Sequence, residues 1–123
     1  MSAILVVEDD PAVQLGYQVL LTRAGYTVKM MPSGKGVLQA MPGVDLVITD
    51  IVMPDVDGME VIKLLKHEYP EVPIIAISGG GRFSSEFYLK ASKVLGVKAN
   101  FQKPIEPEDL LDAVKTALDE KSV

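Results

Sequence analysis

Five short strand-like runs, each separated from the next by a stretch with helical spacing, constrain this chain more than any other feature. They are Ile4–Val7, Tyr26–Met31, the run from Val44 to Ile48 broken only by Asp45, Val72–Ile77 with Pro73 near its start, and Ala99–Gln102. Short and largely apolar runs of this kind suit strands covered on both faces.

The intervening stretches carry helix signals. Asp10-Pro11 reads as an N-cap followed by proline at the first helical position, with Val13, Tyr17, Leu20, Leu21 and Ala24 at helical spacing and Gly25 as the stop. Ser33-Gly34 opens a second helix with apolar Val37, Leu38 and Met41, which Pro42-Gly43 ends. Asp57 can cap a third, in which Met59, Val61, Ile62, Leu64 and Leu65 are expected to face inward while Glu60, Lys63 and Lys66 face water, with Pro70 closing it. A fourth runs from about Ser85 to Leu95. Pro107 starts the last, which carries Leu110, Leu111, Val114 and Leu118, with Glu108 and Asp109 in the first turn, where they complement the helix dipole. Strands alternating with helices call for a parallel sheet with helices on both faces, because right-handed crossovers leave few other arrangements. The expected fold class is therefore α/β, a doubly wound five-stranded parallel sheet, with residues 1–123 as one domain. The length of 123 residues suffices for one two-sided core and is too short for two.

Bulk properties narrow the function. A net charge of −5 and a pI near 4.8 argue against nucleic-acid binding through a broad basic face. The absence of cysteine removes disulfides, thiolate catalysis and Cys-based zinc sites. The N-terminus enters a strand directly, without a segment of signal-peptide form, and no apolar run approaches membrane-spanning length. A soluble cytoplasmic protein, with neither nucleic acid nor membrane as partner, is the expectation.

The chemistry is expected where strands end in acids. The third run continues through Val47-Ile48-Thr49 into Asp50, and the turn formers Pro54, Asp55, Asp57 and Gly58 follow. The first runs into Glu8-Asp9-Asp10. In open α/β sheets ligands bind outside the carboxyl ends of the strands, and two neighbouring parallel strands ending in carboxylates would hold a divalent cation between them. Asp10, Asp55 and Asp57 are expected to serve as cap and turn residues. Gly34-Lys35-Gly36 is not a phosphate loop, since Lys29 stands where the upstream glycine is needed and no Ser or Thr follows Lys35. His67, near the polar end of the third helix, reads as solvated surface, and the methionines read as core filler.

Taken together, Val6-Val7-Glu8-Asp9, Thr49-Asp50 with Met53-Pro54 and Asp57-Gly58, Ser78-Gly79, and Lys103-Pro104 resemble the response-regulator receiver domain in order and spacing, over essentially the whole chain. The resemblance implies a flavodoxin-like sheet of strand order 2-1-3-4-5, which sets the ends of the first and third strands side by side. It implies that Asp50 is the phosphoacceptor, taking phosphate from a histidine kinase or histidine phosphotransfer protein. Mg2+, for which Mn2+ can substitute, would be held by Asp9, Asp50 and the backbone carbonyl of Val52, with Glu8 acting through water. Lys103 would pair with Asp50 at rest and with a phosphoryl oxygen afterwards, while the Ser78 hydroxyl and the Gly79 backbone N–H would donate to the same oxygens. At ~4 Å and an effective dielectric near 20, the Lys103–Asp50 attraction is roughly 4 kcal/mol before desolvation. A target protein would be engaged through the face of the fourth helix, fifth strand and fifth helix.

The chain departs from the pattern at two places. Asn100 stands where many receivers carry an aromatic, three residues before Lys103, and Phe101 beside it reads as core. Val52 and Gly80, two residues after Asp50 and Ser78, cannot orient a hydrolytic water, which predicts slow self-dephosphorylation. Competing readings are a receiver cut from a longer regulator or hybrid kinase, a non-phosphorylated docking module, an aspartyl phosphatase of the haloacid-dehalogenase kind and an FMN carrier. The phosphatase needs an Asp where Val52 stands, and the FMN carrier needs hydroxyls and glycines where Glu8-Asp9-Asp10 stands. Gly79-Gly80-Gly81-Arg82 reads most simply as a mobile loop, with Arg82 reaching a phosphate or a partner as the alternative reading.

Overall fold

The computed structural model describes residues 2–51, 58–79 and 85–121, the side chains of 85–89 and 121 excepted. Five parallel strands, β1 (Ala3–Val7), β2 (Thr27–Met31), β3 (Leu46–Asp50), β4 (Ile74–Ser78) and β5 (Ala99–Gln102), form one sheet in the order β2-β1-β3-β4-β5. They alternate with α1 (Pro11–Arg23), α2 (Val37–Ala40), α3 (Gly58–Glu68), α4 (Ser85–Val94) and α5 (Pro107–Lys121). This is the doubly wound, flavodoxin-like order expected above.

Alternation along each strand sends successive side chains to opposite faces of the sheet and so builds two cores. Leu5, Val7, Val47, Ile74 and Ala76 meet Val37 and Met41 from the α2 region and Val61, Ile62 and Leu65 of α3. Ile4, Val6, Leu46, Ile48, Ile75 and Ile77 meet Leu21 of α1 and Leu110, Val114 and Ala117 of α5. The central strands β3 and β4 are buried at every position, which is why they read as continuous apolar runs, whereas β2 and β5 at the edges are only partly covered. Each fully buried Leu or Ile here contributes about 1.5–3 kcal/mol relative to exposure.

The strand-end signals behave as their chemistry requires. Asp10 caps α1, its Oδ1 accepting from the N–H groups of Ala12 (2.8 Å) and Val13 (3.4 Å), and Pro11 takes the first helical position. β4 begins at Ile74, not Val72, because Pro73 has no N–H to give the ladder. His67 is exposed beside Glu68, Met41 is buried, and Phe101 packs partly buried against the second core.

Three expectations are corrected. Ser33-Gly34 does not open α2, which is a single turn entered from Gly36 in a left-handed conformation (φ 80°). Leu64 faces water at 40% exposure, and Lys66 is only half exposed. At about 100° per residue the buried face of α3, set by Gly58, Val61, Ile62 and Leu65, leaves Leu64 roughly 110° from its centre and Lys66 nearer its edge. The expected caps and turns at Asp55 and Asp57 lie outside the described residues. Among the described residues, no helix is long and apolar enough to cross a membrane.

Candidate functional site

Register brings the chemistry together. Val7 pairs with Thr49, Asp50 with Ile77, and Ser78 with Gln102, so that Glu8, Asp50, Ser78 and Lys103 come to one edge at the carboxyl ends of four adjacent strands. Two backbone bonds continue the ladder past the strand ends, from Ile51 N–H to the Ile77 carbonyl (2.8 Å) and from Lys103 N–H to the Ser78 carbonyl (2.8 Å). The second fixes where the Lys103 side chain begins.

From there the Lys103 ammonium reaches back over β4. Its Nζ donates to Asp50 Oδ2 at 2.8 Å and lies 2.7 Å from Glu8 Oε1. Lys103 therefore pairs with two carboxylates, where the sequence pointed to Asp50 alone. Both acids are buried, Glu8 at 1% and Asp50 at 5% exposure, while Asp9 is exposed. Gly79 makes room for this reach, because a Cβ there would stand 3.0 Å from Lys103 Cδ. Ser78 is fully buried at the same edge.

The charges respond to this crowding. Burial pushes the Glu8 carboxyl above its ordinary value, with the Asp50 charge adding to it and Lys103 and the Asp10 N–H opposing it. For Lys103 burial works the other way, but the hydrogen bond to Asp50, the contact with Glu8 and their charges outweigh it and hold the ammonium protonated well above the ordinary lysine range. Tyr17 on α1, near the same group, is pushed up to about 12, mainly by burial.

One oxygen from each of Glu8, Asp9 and Asp50 falls within 4.8 Å of the others. Ligand oxygens at ~2.1 Å from one Mg2+ stand about 3–4.2 Å apart, so side-chain rotation alone closes such a cluster. Glu8 Oε1 is buried with the Lys103 ammonium 2.7 Å away as its ionic partner, and a carboxylate oxygen has a further lone pair to offer a cation or its water. Hard oxygen donors, all acidic, fit a divalent metal ion, and the cluster can hold one. Val52, the expected carbonyl ligand, lies outside the described residues, as do Gly80 and Arg82.

Several supporting residues were not singled out from sequence. The Thr49 hydroxyl donates to the Asp50 carbonyl at 3.0 Å. The Gln14 side-chain amide donates to the Glu8 carbonyl. Gly58 packs its α-carbon against the same strand end, and a Cβ there would lie within 2.5 Å of the Asp50 and Ile51 carbonyl oxygens. Its N–H donates to the Ile51 carbonyl at 2.9 Å. The Thr49-Asp50 and Asp57-Gly58 pairs were signals for Thr49 and Gly58, though not for the contacts they make; nothing in the sequence marked Gln14.

Comparison with known proteins agrees with this geometry. The family model described as the response regulator receiver domain matches residues 4–115. The sensor kinase CckA of Brucella abortus is 32% identical over 98% of this chain and 13% of that protein. The transcriptional regulatory protein FixJ of Bradyrhizobium diazoefficiens is 31% identical over 94% of this chain and 56% of that protein. The chain thus spans between 13% and 56% of the length of these two relatives. Among solved structures, a receiver domain protein from Clostridium thermocellum superimposes with a TM-score of 0.91 at 25% identity, covering 99% of this chain and 98% of that one. A CheY-like receiver from Methanospirillum hungatei gives 0.90 at 28% identity, covering 99% and 97%. With its 2-1-3-4-5 sheet, its acidic cluster and a lysine joining two strand ends, the chain belongs to the response regulator receiver domain family of two-component systems.

Proposed function

We propose that the chain accepts a phosphoryl group on Asp50 from a phosphohistidine of a histidine kinase or phosphotransfer protein and thereby changes its affinity for a target protein. The observation that carries this reading is the buried Asp50 carboxylate at the end of β3, paired at 2.8 Å with Lys103 and set within the acidic cluster. The Lys103 ammonium, 2.8 Å from Asp50, offsets negative charge as phosphate approaches, and the Asp50 carboxylate is the nucleophile. One of its oxygens forms the bond to phosphorus as the donor's N–P bond breaks, and the electron pair leaves with the imidazole. Lys103, the Ser78 hydroxyl and the Gly79 N–H then receive the phosphoryl oxygens, stabilising charge where it develops. Asp9 and Asp50, with the Val52 carbonyl and with Glu8 acting through water, are the residues that would hold Mg2+ or Mn2+. When bound, the ion supplies positive charge against that of the incoming phosphate. Val52 and Gly80, two positions after Asp50 and Ser78 in the sequence, have side chains that cannot orient a water, and loss of the phosphoryl group by hydrolysis is slow.

The face beside the site supports a protein donor. From Pro11 to Thr22 α1 carries no charged residue, and Leu15 and Val19, one turn apart, are 65% and 41% exposed. Next to them runs an apolar groove of about 300 Å³ lined by Tyr17, Leu20, Pro104, Ile105 and Pro107 among others. An uncharged apolar patch at the mouth of a charged site suits a docking partner that must bring its histidine to Asp50. The target protein docks on the face of α4, β5 and α5, and the protein works in the cytoplasm, where phosphohistidine donors have access to it.

Intact mass after incubation with Mg2+ and acetyl phosphate tests the reading. One added phosphoryl group is expected for the unaltered protein and none for Asp50→Ala or in the presence of a chelator. Labelling that survives Asp50→Ala would reject Asp50 as acceptor. No labelling from acetyl phosphate or a phosphohistidine donor, together with no metal binding, would leave a docking module.

A further inference from the structure

The turn from β1 into α1 contains an unexplained arrangement. Of its three acids, Glu8 is buried and Asp10 is committed to capping α1, but Asp9 is exposed, so packing does not set the direction of its carboxylate. A cation site needs its ligands aimed, and here the backbone on either side of Asp9 must do the aiming. Glu8 N–H is tied to the Met31 carbonyl at 2.9 Å, and Asp10 N–H donates to Glu8 Oε2 at 3.1 Å.

The carbonyls of the residues before and after Asp9 are both held by a single residue. Gln14 donates its backbone N–H to the Asp10 carbonyl at 2.9 Å and its side-chain Nε2 to the Glu8 carbonyl. The first bond is one any residue at this helix position would make. The second depends on the amide, whose length and donor reach back across one helical turn. Cutting it would release the Glu8 carbonyl and let the Glu8–Asp9 peptide plane turn, while leaving the α1 cap at Asp10 intact.

We infer that Gln14 is a positioning residue for the cation site, acting through the backbone of Glu8 and Asp10 to aim the Asp9 carboxylate. This rests on the reading of Glu8, Asp9 and Asp50 as the cation-binding acids. Groups that orient metal ligands typically account for 10–100-fold in affinity, and the effect here should lie at the low end because the link runs through backbone.

The test is calorimetric titration of the full chain with Mn2+ alone, beside thermal melting in chelator. Gln14→Met keeps the length of the side chain and removes the donor. Gln14→Ala keeps the helix and removes the side chain. Both are expected to raise the Mn2+ dissociation constant about tenfold, while Asp9→Asn loses binding altogether. If Gln14→Met does not fold, Gln14→Ala decides alone. Wild-type affinity in a folded Gln14 variant, with or without a lowered melting temperature, overturns the inference and assigns Gln14 to structure only. Absence of Mn2+ binding by the unaltered protein overturns the cation-site reading itself, and the two failures are told apart by that first titration.

Discussion

β3 is flanked or ended by an aspartate on each side and β5 by a lysine on each side, yet among the described residues the two pair with each other only at the carboxyl end of the sheet. At the amino end, Asp45 accepts the Ala3 N–H at 2.8 Å, and Lys98 pairs at 3.2 Å with Glu120 of α5, both side chains about half exposed. At the carboxyl end, Asp50 and Lys103 pair with each other at 2.8 Å, and their side chains are only 6% and 25% exposed. The residue types are the same. At the amino end Asp45 and Lys98 have separate partners, one of them near solvent, where an ion pair is worth about 0–1 kcal/mol. At the carboxyl end a single ammonium is shared by two buried carboxylates, so that burial and charge both act on Glu8 and Lys103.

The comparison is sharpest in the two lysines. Lys103→Met is expected to slow labelling by acetyl phosphate on the order of 10²-fold, the usual loss for one electrostatic contact to a reacting group. Lys98→Met should leave labelling unchanged and alter stability by less than about 0.5 kcal/mol in urea denaturation. Equal effects from the two would mean that the ends of the sheet do not differ as described.

Two glycines divide in the same way. Gly58→Ala forces a Cβ into the Asp50 and Ile51 carbonyls and should cost about 1–3 kcal/mol in the same denaturation experiment. Gly16 of α1 has open space around its missing Cβ, and Gly16→Ala should stabilise by about 0.5–1 kcal/mol. A neutral result at Gly58 would show that the contact with the end of β3 relaxes without cost.

Leu15→Glu probes the uncharged surface beside the site. Transfer from a phosphohistidine donor should fall about tenfold, the ~1.4 kcal/mol of an interface anchor, while acetyl phosphate, which needs no docking surface, labels at the original rate. An equal fall with both donors would place the defect inside the site.

The mildest test uses pH. The folded-state pKa of Glu8 is raised above its ordinary value of 4.5, so folding favours its protonated form. That contribution is complete below 4.5 and is lost as pH rises through the raised folded value. In chelator, Glu8→Gln, which stays neutral, should therefore melt above the unaltered protein at neutral pH, and the gap should close as pH falls toward 4.5. Melting curves whose separation stays constant across that range would show that burial does not penalise the Glu8 charge.

Much of this was legible in the chain itself. Strands buried on both faces must be continuous runs of Ile, Leu and Val, and β1, β3 and β4 were visible for that reason. Asp10-Pro11 and Pro73 act through their own backbone chemistry, so the cap and the late strand start needed no tertiary information. The acids at the ends of β1 and β3 could be named because strand ends are where an open parallel sheet leaves side chains to meet a ligand, while Ser78 and Lys103 were named through the resemblance of the whole motif set. Where a signal depended on the angle around a helix, as at Leu64, an apolar residue type gave the wrong side.

Only the tertiary structure decided which partners these residues take. Strand order and register set Glu8 beside Lys103, a contact between residues 95 positions apart that no local pattern encodes. The same packing makes Gly58 indispensable against the Asp50 carbonyl and brings the Gln14 amide back onto Glu8. Local sequence fixes backbone propensity and the identity of the charges. Their pairing and their proton affinities follow from distances and burial, which exist only once the chain has folded.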